Sequence, residues 1–428
     1  MNHSPLEVVV LNDCASLTGG SSAVAIASAM GLARQGIPTT LFTAVGPVAP
    51  HLLKVPDLTV VCLGQAEIAR NPRRLEAFRD GWRNGQAVRA LRNLLATRSP
   101  ARTVVHAHGW TKALSPCVLA AALDLGFPLV VTLHDFFISC PNGGFFVYPK
   151  NEICRRAPLS GACWRCNCDR RNRAQKLWRN ARTWIQNGLL HVPERVSFFV
   201  GVSQFSLNLL KPFLPATTPT RVVRHPVDFP QTAPAAVAEN RTFLYIGRLE
   251  VEKGARLFAE AARAAGVAAT FVGDGALRLA LEQAYPEFRF TGWLQPDEIR
   301  SFLRGCRALV FPPLWYETLG LVVIEAAAAG VPAIVSDGCA ATDHIHDGVN
   351  GLRFAHGSVS SLRLRIEEAA RNDGLVRRLG QAAHDWYWQQ PWTTQNHVAE
   401  LLDIYGGLTA IDGAPMQQKD SYESAGRI

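Results

Sequence analysis

The sequence predicts an α/β protein with two domains, each built on a parallel sheet that helices cover on both faces. Short apolar strands alternate with helical patterns along the chain, and this alternation is typical of parallel sheets. The alternation stops in a proline- and alanine-rich stretch, HPVDFPQTAPAAVAEN, and then restarts. A length of 428 residues suits two domains, and a hydrophobic content of 48% is enough for a large core.

The predicted strands set the domain boundaries. They are EVVVLN, IPTTLFTA, LTVVCLG, RTVVHAH, PLVVTLHD, SFFVGVS and RVVRHP in the first half, and TFLYIGR, AATFVGD, FRFTGW, RALVFPP and PAIVSD in the second. We predict an N-terminal domain over residues 1–228 and a second domain over residues 241–385. Residues 386–409 are expected to form a helix that packs back toward the first domain, and the polar residues 410–428 to be disordered. The cleft between the domains is the expected ligand site, because ligands of parallel sheets bind at the carboxyl ends of strands.

The net charge of +9, from 44 basic and 35 acidic side chains, favours anionic partners such as nucleotides, phospholipid surfaces or nucleic acid. We expect no signal peptide, because EVVVLND is too short and has no basic stretch before it. Every long apolar run is broken by a charge or a proline, so no membrane-spanning helix is expected. The sequence predicts a cytoplasmic protein, with peripheral association at the inner face of the membrane left open.

Two glutamates mark the strongest candidate site. Glu325 is the one charge in residues 319–335, LGLVVIEAAAAGVPAIV, and a carboxylate in an apolar helix is costly to desolvate unless something binds it. Glu317 lies eight residues earlier, before a helix that opens at a glycine. Free N–H groups at that helix start would bind a phosphate, and each acid would take a pair of ligand hydroxyls. The alternatives are a core carboxylate that caps neighbouring backbone and an ordinary N-terminal acid.

Three loops supply further candidate ligand contacts. In YIGRLEVEKG a strand ends at Gly247, and Arg248 and Lys253 follow it; two cations there can neutralise a diphosphate, although a solvated Arg–Glu turn is the alternative. In FVGDGALR, Gly273 opens a turn that can approach a base or ribose, and a simple tight turn remains the other interpretation. The pair Gly19 and Gly20 precedes a helix without forming GxGxxG, so a dinucleotide fingerprint is not supported.

The motifs GRLEVEKG and ETLGLVVIE, the latter followed by AAAAGVPAIVSD, resemble those of the retaining family-4 glycosyltransferases. The resemblance implies the GT-B fold, in which two Rossmann-like parallel-sheet domains face each other across a cleft. It also implies a nucleotide-sugar donor, with Glu325 on the ribose hydroxyls and Glu317 on the sugar hydroxyls. Arg248 and Lys253 would hold the diphosphate. Backbone N–H groups would assist them at Thr318, Leu319, Gly320 and Leu321.

The same resemblance implies further roles and one departure. The Gly19–Gly20 loop would lie across the donor diphosphate, and no metal cofactor would be required for catalysis. After SD the family usually has a glycine pair and then an acid, whereas this chain continues with GCAATD and ends that motif at Asp343. A sugar-specificity contact from this loop is therefore in doubt.

His134 is the candidate catalytic residue of the first domain, because it ends the buried strand PLVVTLHD and would face the cleft. The resemblance implies that it contacts the transferred sugar. His106 and His108 in HAHGW are the alternatives. Read as a metal pair, these two lack a third ligand nearby.

A cysteine- and arginine-rich insertion follows His134, at about residues 136–190. Five of the ten cysteines lie in it, and their spacing is compatible with a structural zinc site formed by Cys140, Cys154, Cys163 and Cys166. A subgroup of bacterial family-4 enzymes looks similar here. Free thiols are the main alternative, and a redox role is the least favoured one.

Residues 155–184 of the insertion combine arginines with tryptophans, which suits an anionic membrane surface or a lipid-linked acceptor. A solvated helix face with its aromatics packed inward is the alternative. Nucleic acid is not expected as a partner, because no recognised binding motif accompanies the charge.

The sequence thus predicts a retaining glycosyltransferase that moves a sugar from a UDP- or GDP-sugar to a lipid-linked or saccharide acceptor hydroxyl. Two other classes remain open. One is a sugar-nucleotide epimerase of the same fold, and the other is a non-catalytic module that binds lipid or nucleic acid. The base, the sugar and the acceptor are not determined by the sequence.

Overall fold

The computed structural model describes residues 6–409, so the predicted disorder of residues 410–428 lies outside it. The described strands are β1 (Glu7–Cys14), β2 (Thr39–Val45), β3 (Leu58–Gln65), β4 (Thr103–Ala107), β5 (Leu129–Leu133), β6 (Phe146–Val147), β7 (Glu152–Ile153), β8 (Phe198–Gly201), β9 (Thr220–Val222), β10 (Phe243–Ile246), β11 (Ala269–Val272), β12 (Arg289–Gly292), β13 (Ala308–Phe311), β14 (Ala333–Ser336) and β15 (Gly351–Phe354).

Helices alternate with these strands in both halves of the chain. They are α1 (Gly20–Arg34), α2 (Arg74–Asp80), α3 (Gly85–Leu95), α4 (Pro116–Asp124), α5 (Gly161–Arg165), α6 (Arg173–Trp184), α7 (Val192–Arg195), α8 (Gln204–Leu210), α9 (Ala255–Ala265), α10 (Arg278–Ala284), α11 (Pro296–Arg304), α12 (Leu321–Ala328), α13 (Val359–Arg371), α14 (Asp373–Gln389) and α15 (Thr394–Gly406).

The two predicted parallel sheets are confirmed. The first has seven strands in the order β3-β2-β1-β4-β5-β8-β9, and the second has six in the order β12-β11-β10-β13-β14-β15. The order reverses between β1 and β4 in the first sheet and between β10 and β13 in the second, and such reversal points are where ligands bind in these folds. The loops after β10 and β13 carry Arg248, Lys253 and Glu317, so the topology places these residues together.

The C-terminal segment is not the single helix that the sequence pattern predicts. Helix α14 ends at Gln389. Pro391 follows two residues later, and a proline there cannot extend the helix. Helix α15 then packs against α1 of the first domain, where a Cβ on Gly31 would lie 2.6 Å from the Val398 side chain. The predicted return to the first domain is therefore made by α15. Among the described residues, no helix is long and apolar enough to span a bilayer.

The predicted zinc site is not assembled within the described part of the chain. No group of three or more histidine, cysteine or acidic side chains there could hold a metal ion, and this includes Cys140, Cys154, Cys163 and Cys166. Instead the Lys176 ammonium, which is buried, lies 3.4 Å from the Cys163 sulfur. A cation buried beside one of these thiols disfavours a metal ion at the same place, because the two positive charges repel each other.

The basic residues of the insertion do not form one exposed face. Lys176 and Arg182 are buried, and the Arg179 guanidinium pairs with the buried Asp169 at 3.2 Å. Trp178 is buried as well, with its indole N–H donating to the Phe78 carbonyl at 3.1 Å. About a third of the cations and tryptophans of the predicted membrane surface, namely Lys176, Trp178, Arg179 and Arg182, therefore pack inside the insertion instead.

Candidate functional site

The loop after β10 brings a lysine to the acid that follows β13. Lys253 ends a short 3-10 turn, and its ammonium lies 2.5 Å from Glu317 Oε2. The same ammonium lies 4.8 Å from the centre of the Trp315 ring, and the Trp315 indole N–H donates to Glu317 Oε2 at 2.9 Å. The two residues predicted to bind the donor from separate loops are thus in direct contact.

The Glu317 carboxylate is poised for a ligand hydroxyl. Burial would raise the pKa of this carboxyl, but the Lys253 ammonium and the Trp315 N–H outweigh it and hold the pKa below its ordinary value. The group is therefore ionised at neutral pH. Within the described residues both of its hydrogen bonds go to Oε2, so Oε1 is left to accept from a ligand.

Glu325 lies one turn into α12, which begins at Leu321. Its carboxylate has no hydrogen-bond partner in the described part of the chain, so it does not cap neighbouring backbone. Burial raises the pKa of the Glu325 carboxyl, with the Arg300 guanidinium opposing that shift. This half-buried carboxylate is therefore open to accept hydrogen bonds from a ligand.

The start of α12 offers backbone donors beside these acids. Gly320 caps the helix with φ 82°, a left-handed conformation that favours glycine. The first N–H groups of a helix lack intrahelical acceptors, so those of Gly320, Leu321 and Val322 are open to an anion. Thr318 and Leu319 precede the helix, and their donor role stays a prediction. The Gly19–Gly20 loop faces this helix start from the first domain, because a Cβ on Gly20 would lie 3.8 Å from the Leu321 side chain.

Gly273 is required by close packing of two loops. Its φ is 130°, and a Cβ on it would lie 2.0 Å from the Gly247 carbonyl oxygen. The loops after β10 and β11 therefore touch through backbone alone, and any side chain at Gly273 would push the Arg248 loop out of place.

Arg248 shares a buried acid with a residue of the insertion. Its side chain is half exposed and lies 3.5 Å from Glu252, a carboxylate that is almost fully buried. Arg170 of the insertion contacts both oxygens of Glu252 at 2.6 Å and lies 3.1 Å from Glu250. Arg248 therefore makes the Arg–Glu pair that the sequence offered as the alternative, at the long distance of 3.5 Å, while Arg170 makes the shorter contacts to the same acid. The role of Arg248 toward a diphosphate stays a prediction. Sequence analysis missed Arg170, whose partners lie some eighty residues away in the chain.

The two domains touch at several points across the cleft. The Thr318 hydroxyl donates to the His134 carbonyl at 2.9 Å, and the Ser203 hydroxyl donates to the Thr318 carbonyl at 2.6 Å. Asp343, the residue where the sequence departs from the family pattern, accepts the Phe205 backbone N–H at 2.9 Å. Asp343 therefore has a structural role, because its hydrogen bond connects the two domains.

The His134 ring is held by two other histidines. Its Nε2 lies 2.9 Å from His108 Nδ1, and its Nδ1 lies 3.2 Å from His225 Nε2. Both ring nitrogens are thus occupied, and the predicted contact between His134 and the sugar stays a prediction. His106 is bonded to Tyr405 and Thr132 at 2.6 and 2.7 Å, so it ties α15 to the first sheet.

A cavity of about 960 Å³ adjoins the loop that carries Lys253, between the insertion and the second domain. Arg155 and Glu152 line it from the insertion, and Gly254, Arg256 and His356 line it from the second domain. Its volume is in the range of small-molecule sites, and its walls carry both cationic and anionic groups. The insertion therefore shapes the space next to the loop that carries Lys253.

Comparisons with known proteins agree with this geometry. The family model described as Glycosyltransferase Family 4 matches residues 18–229, and the model described as Glycosyl transferases group 1 matches residues 231–386. The glycogen synthase of Mycobacterium tuberculosis (strain CDC 1551 / Oshkosh) is 27% identical over 333 residues, which are 72% of this chain and 71% of that protein. A GDP-mannose-dependent alpha-mannosyltransferase of Corynebacterium glutamicum is 33% identical over 170 residues, 39% of this chain and 40% of that protein.

Solved structures agree on the fold. Anabaena HepE in complex with UDP and glucose superposes with a TM-score of 0.63 at 17% identity, covering 94% of this chain and 99% of that one. Sucrose-phosphate synthase from Thermosynechococcus elongatus gives a TM-score of 0.69 at 16% identity over 94% and 99% of the two chains. The protein is therefore a glycosyltransferase with the GT-B fold. It belongs to the family-4 type, with a group 1 domain as its second half.

Proposed function

We propose that the protein transfers a sugar from a UDP- or GDP-sugar to an acceptor hydroxyl with retention of the anomeric configuration. Arg248, Lys253 and the N–H groups at the start of α12 stabilise the departing diphosphate, in place of a divalent cation. Glu317 accepts hydroxyls of the transferred sugar, and Glu325 accepts those of the ribose. The acceptor attacks on the face that the diphosphate leaves, and the donor phosphate takes its proton.

One observation carries this proposal: the Lys253–Glu317 contact lies beside helix donors and a partnerless Glu325. Cations bind the phosphates of such a ligand, and the carboxylates bind the hydroxyls on either side. The comparisons support a nucleotide-sugar donor, because HepE has been crystallised with UDP and glucose and the corynebacterial relative is described as GDP-mannose-dependent. The nucleotides named for these two relatives differ in their base, so the proposal includes both UDP- and GDP-sugars.

The Glu325→Gln variant tests the donor site. Without ligand it should be at least as stable as the wild type, because the raised pKa of Glu325 means that its ionised form destabilises the fold at neutral pH. It should bind the nucleotide sugar on the order of 10- to 100-fold more weakly, since hydrogen bonds to a charged acceptor are lost. Thermal unfolding with UDP, GDP and their sugars measures both effects, and a ligand at 100 times its Kd should add about 2.7 kcal/mol to the wild type.

The matched control is Glu287→Gln, which alters an exposed acid paired with Arg263 in the same domain. It should keep the full ligand-dependent shift. If no nucleotide or nucleotide sugar stabilises the wild type, or if Glu325→Gln retains the whole shift, the proposed donor site is wrong. Incubation with donor alone separates transfer from epimerisation, because an epimerase converts the nucleotide sugar without any acceptor.

We further propose that the acceptor is lipid-linked and that the first domain meets an anionic membrane through α2 and α6. Leu75 and Phe78 on α2 are exposed at 88% and 48%, and Leu177 and Trp184 on α6 at 41% and 52%. The bond from Trp178 to the Phe78 carbonyl joins the two helices into one surface. Five exposed arginines on or next to the same two helices would meet the anionic head groups. They are Arg73, Arg74, Arg79, Arg171 and Arg173.

Vesicle sedimentation tests this surface. The wild type should bind vesicles that contain phosphatidylglycerol and not those of phosphatidylcholine alone. The double variant Phe78→Ser, Trp184→Ser should bind on the order of tenfold or more weakly, since each buried aromatic side chain contributes about 1.5–3 kcal/mol. Leu279→Ser, which changes a residue 72% exposed on the second domain, is the control and should bind like the wild type. Equal binding by all three proteins would contradict the surface.

A further inference from the structure

Three imidazoles form one hydrogen-bonded row at the floor of the cleft. His108 follows β4, His134 follows β5, and His225 begins the segment that leads from the first domain to the second. His108 Nδ1 lies 2.9 Å from His134 Nε2, and His134 Nδ1 lies 3.2 Å from His225 Nε2. The His134 ring, in the middle of the row, is therefore hydrogen-bonded at both of its nitrogens.

Each end of the row is a buried nitrogen without a partner in the described part of the chain. These atoms are His108 Nε2 and His225 Nδ1, and the two residues are only 3% and 4% exposed. Buried polar atoms are nearly always satisfied, so two orphans on one row need an explanation.

Counting the protons on the three rings shows which chemical form each end atom has. Burial lowers the pKa of all three rings, to about 3 for His134, so each ring carries one proton at neutral pH. If His108 donates to His134, then His134 must donate to His225, and every proton is on Nδ1. If the direction is reversed, every proton is on Nε2. In either direction one end is an N–H without an acceptor and the other is a bare lone pair.

We propose that His108 and His225 are positioning residues that hold the His134 ring in one orientation and give all three rings the same tautomer. The row joins the interdomain segment to His134, whose carbonyl also receives the Thr318 hydroxyl from the second domain. His134 is thus held from three parts of the fold: its ring by His108 and His225, and its backbone by Thr318. Its effect on sugar transfer rests on the proposed function, whereas the shared tautomer does not.

Nitrogen NMR of the full chain labelled with ¹⁵N-histidine tests the row without any substrate. Single His→Gln variants assign the three rings. We expect all three to be neutral at pH 7.5, to share one tautomer, and to show ¹⁵N–¹⁵N couplings across both hydrogen bonds. A mixture of tautomers among the three, or a charged ring at that pH, would overturn the proposal.

Kinetics of His225→Phe test the effect on transfer. We expect kcat to fall on the order of 10- to 100-fold, because a loosened ring is misplaced, while the donor KM changes much less. His344→Phe is the matched control: it removes another largely buried histidine, which packs against Trp386 and Trp392 in the second half of the chain, away from the row. It should lower thermal stability but keep the wild-type tautomers and kcat. A wild-type kcat in His225→Phe would overturn the proposal, and if that variant does not fold, the wild-type tautomers decide.

Discussion

Replacement of Lys253 by methionine is expected to lower kcat/KM for the donor on the order of 10²- to 10³-fold, in line with the loss of one preorganised charge. The ammonium does two things in the structure. It lies 2.5 Å from Glu317 and so neutralises an acid whose side chain is only 14% exposed, and in the proposed function it also binds the donor diphosphate. Without it, a donor phosphate would meet an uncompensated carboxylate.

The comparison with other variants isolates the charge. Lys253→Arg keeps the charge but not the compact ammonium, and it should retain more activity than Lys253→Met. The double variant Lys253→Met, Glu317→Gln should be less impaired than the two single losses combined predict, because residues in direct contact are coupled. Lys211→Met, at an exposed position of the first domain, is the control and should act like the wild type. Full activity of Lys253→Met would show that the donor diphosphate is held elsewhere.

The meeting of the Lys253 loop with the Glu317 loop could be predicted because both loops are local in sequence. The loops with Arg248 and Lys253 and with Glu317 and Glu325 are short, and each follows a strand of a sheet whose pattern is visible in the chain. Since neighbouring parallel strands end at the same edge, the contact between Lys253 and Glu317 follows from the topology.

The residues that the sequence did not reveal act across long chain separations. Arg170 meets Glu252 from the insertion, and His225 meets His134 from the interdomain segment. No periodicity or spacing marks either pair. The prediction of a basic surface over the whole insertion was too broad for a related reason. Composition counts charges, but it does not show that Lys176 is buried while Arg173 is exposed.

The same buried histidines should make the fold unusually sensitive to mild acid. Five of them lie together with depressed pKa values, each caused mainly by burial: His106, His108, His134, His225 and His397. A histidine whose folded pKa lies below its unfolded value binds fewer protons in the native state. Its contribution to the free energy of unfolding is complete above about pH 6.5 and is lost as the pH falls toward the folded pKa.

At pH 5.5 each such histidine should cost about 1.4 kcal/mol relative to neutral pH, because the unfolded chain takes up a proton that the native state refuses. Five of them approach the total stability of an ordinary domain, about 5–15 kcal/mol. Carboxyls with raised pKa values act in the opposite direction below pH 6, and Asp135, whose burial raises its pKa to about 6, is the main one. We expect a net loss of several kcal/mol between pH 7.5 and 5.5.

Denaturant unfolding at pH 7.5, 6.5 and 5.5 measures this loss, with its slope giving the number of protons taken up on unfolding. Removing one titrating group by His397→Gln should reduce that number by about one. Changing His51, which is exposed on the first domain, to glutamine is the control and should leave that number unaltered. A free energy of unfolding that stays constant over this range would mean that these rings are charged or solvated in the native state, and the hydrogen-bonded row would then lose the neutrality on which its shared tautomer depends.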